Sequence, residues 1–163
     1  MDGTTILILL GVGVFMAILI AISLRAHNKM VANGEIISRG TKFMEKAELF
    51  TLNAPEPTAV SGRIKGFSVY EKGGISMKGS TEDQKYVFKA SSWSAVLERQ
   101  SVSDGRSVYR FQFVSWKTSN GMAQDSLNMN RLLTAIEKMF LEFDPQTQVG
   151  TELVDFKTKH KLF

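Results

Sequence analysis

Residues 107–117 read SVYRFQFVSWK. Tyr109, Phe111 and Phe113 fall on one side of an alternating pattern, with Val108, Arg110, Gln112, Val114 and Trp116 on the other. Side chains along an extended strand point to opposite faces in turn, so the stretch predicts a strand with an aromatic inner face. Before it stands Ser103-Asp104-Gly105-Arg106, whose Asp-Gly pair suits a tight hairpin because glycine takes positive φ without steric cost. Trp93, Ala95, Leu97 and Arg99 alternate with Ser94, Val96 and Glu98 and supply the hairpin's other strand. Further upstream, Tyr86, Phe88 and Ala90 share one side of Lys85–Ala90, after a polar turn at Thr81–Gln84. Phe67–Tyr70 and Ile75–Lys78, around Glu71-Lys72-Gly73-Gly74, read as one more hairpin. The expectation is an antiparallel meander of about five strands.

Downstream, Met129, Leu132, Leu133, Ile136, Met139, Phe140 and Phe143 recur at helical spacing between Gln124 and Phe143. This predicts an amphipathic helix that lies over the aromatic face of the sheet, with Asn130, Arg131, Glu137 and Lys138 on or near its polar side. Asp144-Pro145 stops it. In the tail, Thr151–Phe156 is a candidate extra strand or clip, and Lys157–Phe163, with its lysines and His160, reads as a loose terminus. Ahead of the meander, Thr58–Lys65 reads as a short helix started near Pro57 and ended by Gly66. Glu35 to about Glu48 carries apolar residues near a helical period and reads as a juxtamembrane amphipathic helix, lying on lipid or on the domain. A competing reading makes Ala47–Leu52 a strand.

The N-terminal region decides location. Residues 4–24, TTILILLGVGVFMAILIAISL, hold no charge from Ile6 to Ile22. About 21 residues at ~1.5 Å each give roughly 31 Å of helix, the thickness of a bilayer's hydrocarbon core. Its apolar residues go all the way round, and the remaining chain is too short to wrap such a helix. A cleaved signal peptide is the competing reading, with Ala21 and Ser23 as small residues for cleavage; the lack of Lys or Arg in Met1-Asp2-Gly3 and the length of the apolar run favour an uncleaved anchor. Asn33-Gly34 marks the helix end, so the helix runs to about Ala32.

Basic residues come after the apolar run at Arg25, Lys29, Arg39 and Lys42, a set that suits the membrane surface, against only Asp2 before it. Such residues stay on the cytoplasmic side, which places the N-terminus outside and the main domain in the cytoplasm. Gly13, Ala17 and Ala21 lie four residues apart on one helix face, where small side chains let another helix backbone approach closely. They point to association with other membrane subunits or with a second copy.

The chain has 163 residues, a net charge of +4 and no cysteine. That excludes disulfides, thiolate metal sites and cysteine nucleophiles. The positive charge is mild and spread out, so it does not suggest nucleic acid as a partner; membrane lipid is the partner that the basic residues beside the anchor fit. His27 and His160 lie near opposite ends of the sequence and do not make a ligand set. The carboxylates Glu82, Asp83, Glu98, Asp104, Glu137, Glu142 and Asp144 fall in turns and on helix surfaces. Gly73-Gly74 is not followed by a phosphate-loop Lys-Ser or Lys-Thr, and neither a nucleophile elbow nor a zinc-protease motif occurs. No catalytic residue, metal or cofactor is expected. Trp93, Val114 and Trp116 remain as a possible docking patch on the sheet face turned away from the last helix.

The expected fold class is α+β: a single transmembrane helix, then a small antiparallel sheet covered by a C-terminal helix. The expected division is an anchor at 1–32, a juxtamembrane segment at 33–53, an α+β domain at 54–145 and a tail at 146–163. An apolar N-terminal helix before a sheet resembles type IV pilin-like proteins, but the sequence has neither a basic leader ending in Gly before a Phe nor a Glu early in the apolar run. The succession of short helix, antiparallel sheet and long helix resembles helix-grip lipid-binding domains in architecture alone. The functional expectation is a non-enzymatic single-pass membrane protein, an accessory or scaffold subunit of a larger membrane complex. The alternatives are a membrane-tethered lipid- or ligand-binding domain and, after it, a pilin-like extracellular subunit.

Overall fold

The computed structural model describes residues 2–154, and the chain divides into two compact units, residues 1–38 and residues 39–163. The expectations for Phe156, the tail lysines and His160 lie outside the described residues.

The first unit is dominated by one helix, α1, Gly3–Ala32. Its segment Leu7–Ala32 is long and apolar enough to cross a membrane. The helix ends where the sequence predicts, and for the predicted reason. Gly34 takes φ +67°; its N–H bonds the Val31 carbonyl at 2.9 Å, and the Glu35 N–H bonds the Met30 carbonyl at 2.8 Å. This pair of bonds satisfies carbonyls that the last helical turn leaves open, and the second of them needs a left-handed residue just before its donor, a conformation that glycine adopts freely.

The second unit is an antiparallel sheet with helices on one face. Its strands are β1 (Lys46–Asn53), β2 (Ser76–Ser80), β3 (Lys85–Lys89), β4 (Trp93–Ser103), β5 (Arg106–Trp116) and β8 (Gln148–Leu153). They are ordered β2-β3-β4-β5-β1-β8. A two-strand ribbon, β6 (Thr118–Ser119) with β7 (Met122–Ala123), comes after β5. The helices are α2 (Pro57–Lys65), α3 (Val69–Gly73) and α4 (Ser126–Phe143). The β4–β5 hairpin turns at Asp104 and Gly105, with φ +53° and +72°, as the Asp-Gly pair demands.

The inward face of β5 is the one the alternation picks out. Tyr109, Phe111 and Phe113 are fully buried, and the Tyr109 ring lies 4.7 Å from that of Phe140 on α4. Phe50 of β1 meets the same ring at 5.0 Å. Burial of such rings dominates the energetics of a domain of this size, at roughly 25 cal/mol per Å² of apolar surface removed from water.

The structure corrects several local expectations. Residues 35–48 do not form an amphipathic helix; only Phe43–Glu45 make a single 3-10 turn, and β1 begins at Lys46. The strand reading of Ala47–Leu52 holds because β1 sits inside the sheet, paired with β5 on one side and β8 on the other. Ladder bonds on both edges outweigh a weak helical period. The juxtamembrane segment 33–53 and the tail 146–163 therefore each contribute a strand to the sheet.

Glu71–Gly74 is not a hairpin turn either. Val69–Gly73 form a short helix closed by Gly74 at φ +57°, with the Ile75 N–H on the Tyr70 carbonyl at 3.0 Å. The Tyr70 hydroxyl donates to the Ile64 carbonyl, which ties this turn to the end of α2. The glycine pair caps a helix, and the strand starts only at Ser76.

Candidate functional site

On α1, Gly13, Ala17 and Ala21 lie on one continuous helix and are all exposed. A side chain built at Gly13 would meet nothing within 4 Å, so that face is open to a neighbouring helix. Arg25 and Lys29 are exposed on the same helix beyond the apolar run. Lys29 lies in the last turn, where a positive charge suits the negative end of the helix dipole.

Arg39 is not a surface residue; its expected place at the membrane surface is corrected here. Its side chain is 8 % exposed and lies between β1 and α4. The guanidinium donates through Nε to Glu48 Oε1 at 3.0 Å, and through Nη1 to Asn130 Oδ1 at 2.6 Å and Thr134 Oγ1 at 2.9 Å. Its Nη2 bonds Glu137 Oε2. A planar guanidinium supplies five donors in fixed directions, which a lysine could not match. The cluster holds two carboxylates for one cation, and Glu48 Oε2 is buried without a hydrogen bond. Burial pushes the Glu48 carboxyl above the ordinary value of 4.5; Arg39 opposes this and the charge of Glu137 adds to it. Lys42, by contrast, is exposed and pairs loosely with Glu45 at 3.9 Å.

The cluster's helical members lie at positions 130, 134 and 137, a polar stripe at helical spacing beside the apolar one. Glu48 occupies an inward position in β1, two residues before Phe50. These are the signals from which the cluster could be found, and neither identifies Arg39 as the partner.

A second buried polar group lies across the sheet. Gln84, in the turn before β3, is fully buried with φ +48°. Its Nε2 donates to the Thr81 carbonyl at 2.6 Å, the Tyr86 hydroxyl at 3.1 Å and the Pro57 carbonyl at 3.2 Å. Its Oε1 accepts from the Tyr109 hydroxyl at 3.0 Å. Burial pushes Tyr109 up to about 12, so its hydroxyl stays a donor. The residue fastens a turn to α2 and to the sheet.

The outer face of the sheet is covered in self-compensating charge. Lys85 pairs with Glu98 at 3.0 Å, and Arg110 pairs with Glu152 at 2.6 Å and donates to Gln112 at 2.6 Å.

Trp93, Val114 and Trp116 do not form one docking patch. Trp93 is 3 % exposed; its ring packs edge-on against Phe113 at 5.8 Å, and its Nε1–H donates to Asp125 Oδ2 at 2.9 Å. Ser94 pairs with Ser115 and Ala95 with Phe113, which leaves Val114 as the extra residue of a β-bulge. The bulge resets the alternation, so Trp116 pairs with Trp93 and packs against the core, while Val114 stays half exposed on the outside.

The chain matches no protein-family model, and no curated protein matches it.

Proposed function

We propose that the chain is a single-pass membrane protein serving as an accessory or scaffold subunit of a larger membrane complex, with its N-terminus outside and its folded domain in the cytoplasm. One observation carries this reading: the apolar helix Leu7–Ala32 has none of its apolar window buried inside the chain. The helix–helix contacts that its Gly13, Ala17 and Ala21 face suits must then come from another membrane helix. Arg25 and Lys29, beyond the apolar run, support a cytoplasmic placement of the folded domain. The close stacking of Phe140 on Tyr109 and Phe50 supports a solid structural domain over a lipid-binding cavity between sheet and helix.

The test is the native mass of the full-length protein taken from its own membrane in mild detergent, with its co-purifying chains identified. The subunit reading expects one discrete assembly containing the same other proteins in each preparation. A monomer or homodimer carrying only lipid would overturn it in favour of the tethered lipid-binding domain. A C-terminal reporter accessible outside intact cells would overturn the orientation.

A further inference from the structure

β8 is an edge strand of unusual openness. One side bonds β1, and among the described residues no strand lies on the other. All six residues, Gln148–Leu153, are exposed. Edge strands are normally protected by lysine, proline or a bulge, because their free N–H and C=O groups are a template for another strand. The opposite edge, β2, carries Lys78 at its centre. β8 has no lysine or proline, and its pairing with β1 is regular.

We propose that β8 pairs with β8 of a second copy of this chain, antiparallel, with Thr151 opposite Thr151, so that two sheets become one. The register is set by the faces. Val149, Thr151 and Leu153 stand beside Phe50, Glu48 and Lys46 on the helix-bearing side, and Gly150 and Glu152 stand beside Leu49 and Ala47 on the other. A twofold axis normal to the sheet keeps each face on its own side, so residues can only oppose residues of the same face. Centring on Thr151 sets Val149 opposite Leu153 of the second copy, and Leu153 opposite its Val149. These residues are 42 % and 82 % exposed in the single chain, and the pairing covers both. It also sets Glu152 opposite Gly150, so the carboxylates never face each other and each keeps its bond to Arg110. Centring on Gly150 would instead leave Leu153 without an apolar partner. Complementarity of the strand with itself, apolar to apolar and charge to glycine, selects a second copy as the occupant. Anchoring both copies in one membrane raises their effective concentration for this contact.

The chain has no cysteine, so single cysteines report the register directly. Full-length T151C, in its own membrane with a short thiol-to-thiol cross-linker, is expected to form a linked homodimer, because directly opposed Cβ atoms lie about 4.5–5.5 Å apart, a gap such a linker spans and a little wider than an unstrained disulfide takes. V149C alone and L153C alone are expected to stay unlinked, whereas V149C co-expressed with L153C links. Adding V149K and L153K to T151C, at positions already exposed, is expected to abolish the link. T151C that stays monomeric, links to a different protein, or links no better than V149C alone would overturn the proposal. Any of these outcomes leaves the subunit reading standing if the same assembly is still isolated.

Discussion

The Arg39 guanidinium bonds Glu48 through Nε at 3.0 Å and Glu137 through Nη2, joining the segment before the first strand to both the sheet and α4. A buried cation between two carboxylates is poor evidence of net stabilisation, because desolvation offsets the attraction. Removing the cation alone is a different matter, since it leaves two uncompensated charges.

Arg39→Met is therefore expected to destabilise the domain by about 3–5 kcal/mol. Arg39→Lys is expected to recover only part of this, because an ammonium cannot reach all the acceptors at once. Denaturant unfolding of the full-length protein in detergent, followed by tryptophan fluorescence, measures both. Equal stability of Arg39→Met and the parent would show that the cluster is dispensable.

Glu48 makes the stability depend on pH in a defined direction. Its carboxyl lies above the ordinary 4.5 in the folded chain, so the folded state binds the proton more tightly than the unfolded one. The group's contribution is full below about 4.5 and is lost as pH rises through the raised value. Glu48→Gln is expected to flatten the melting temperature against pH in this window and to leave the more acidic limb in place. An unchanged profile would contradict the assignment.

Gln84 is a polar residue whose loss is expected to act like a core mutation. Gln84→Ala removes one partner from the hydroxyls of Tyr86 and Tyr109, which Gln84 meets at 3.1 and 3.0 Å. Ser61 and Arg99 stay beside these hydroxyls, so the expected loss is about 1–3 kcal/mol, from weakened buried hydrogen bonding. Melting of the variant checks it; Tyr109→Phe combined with Gln84→Ala is expected to lose less than the sum of the two single changes.

The bulge at Val114 predicts opposite behaviour for neighbours in the sheet. Trp93→Ala empties a core site and is expected to cost about 3–5 kcal/mol. Val114→Asp, at a position 50 % exposed, is expected to stay within about 0.5 kcal/mol of the parent. A stable Trp93→Ala protein would return Trp93 to the surface.

In the apolar helix α1, the proposed subunit role expects Ala17→Leu to release co-purifying chains while insertion is unaffected, because a larger side chain would hold a partner helix away. Retention of the same assembly would show that another face carries the contact.

Much of the fold is legible in local pattern. The hairpin at Asp104-Gly105, the α4 stripe and the cap at Gly34 each arise from a few adjacent residues, since period and positive φ are local properties. The candidate site is less legible. Gly13, Ala17 and Ala21 share a face by spacing alone, but Arg39 has the same chemistry on paper as Arg25 and Lys29, and only its partners distinguish it. Strict alternation puts Trp116 on the wrong face because it cannot see an unpaired residue two positions earlier.

Local pattern alone establishes that an uncharged helix of membrane-spanning length precedes an α+β domain, and that Tyr109, Phe111 and Phe113 line one face. Those properties depend on periodicity, length and the absence of charge, all of which survive without knowing what packs where. Long-range packing was needed to put residues 46–53 in an inner place in the sheet, to make β8 an edge, and to set Arg39 among Glu48, Asn130, Thr134 and Glu137. On α4 the Arg39 partners stand 91 to 98 residues away, and no local pattern records which distant strand or carboxylate will be met.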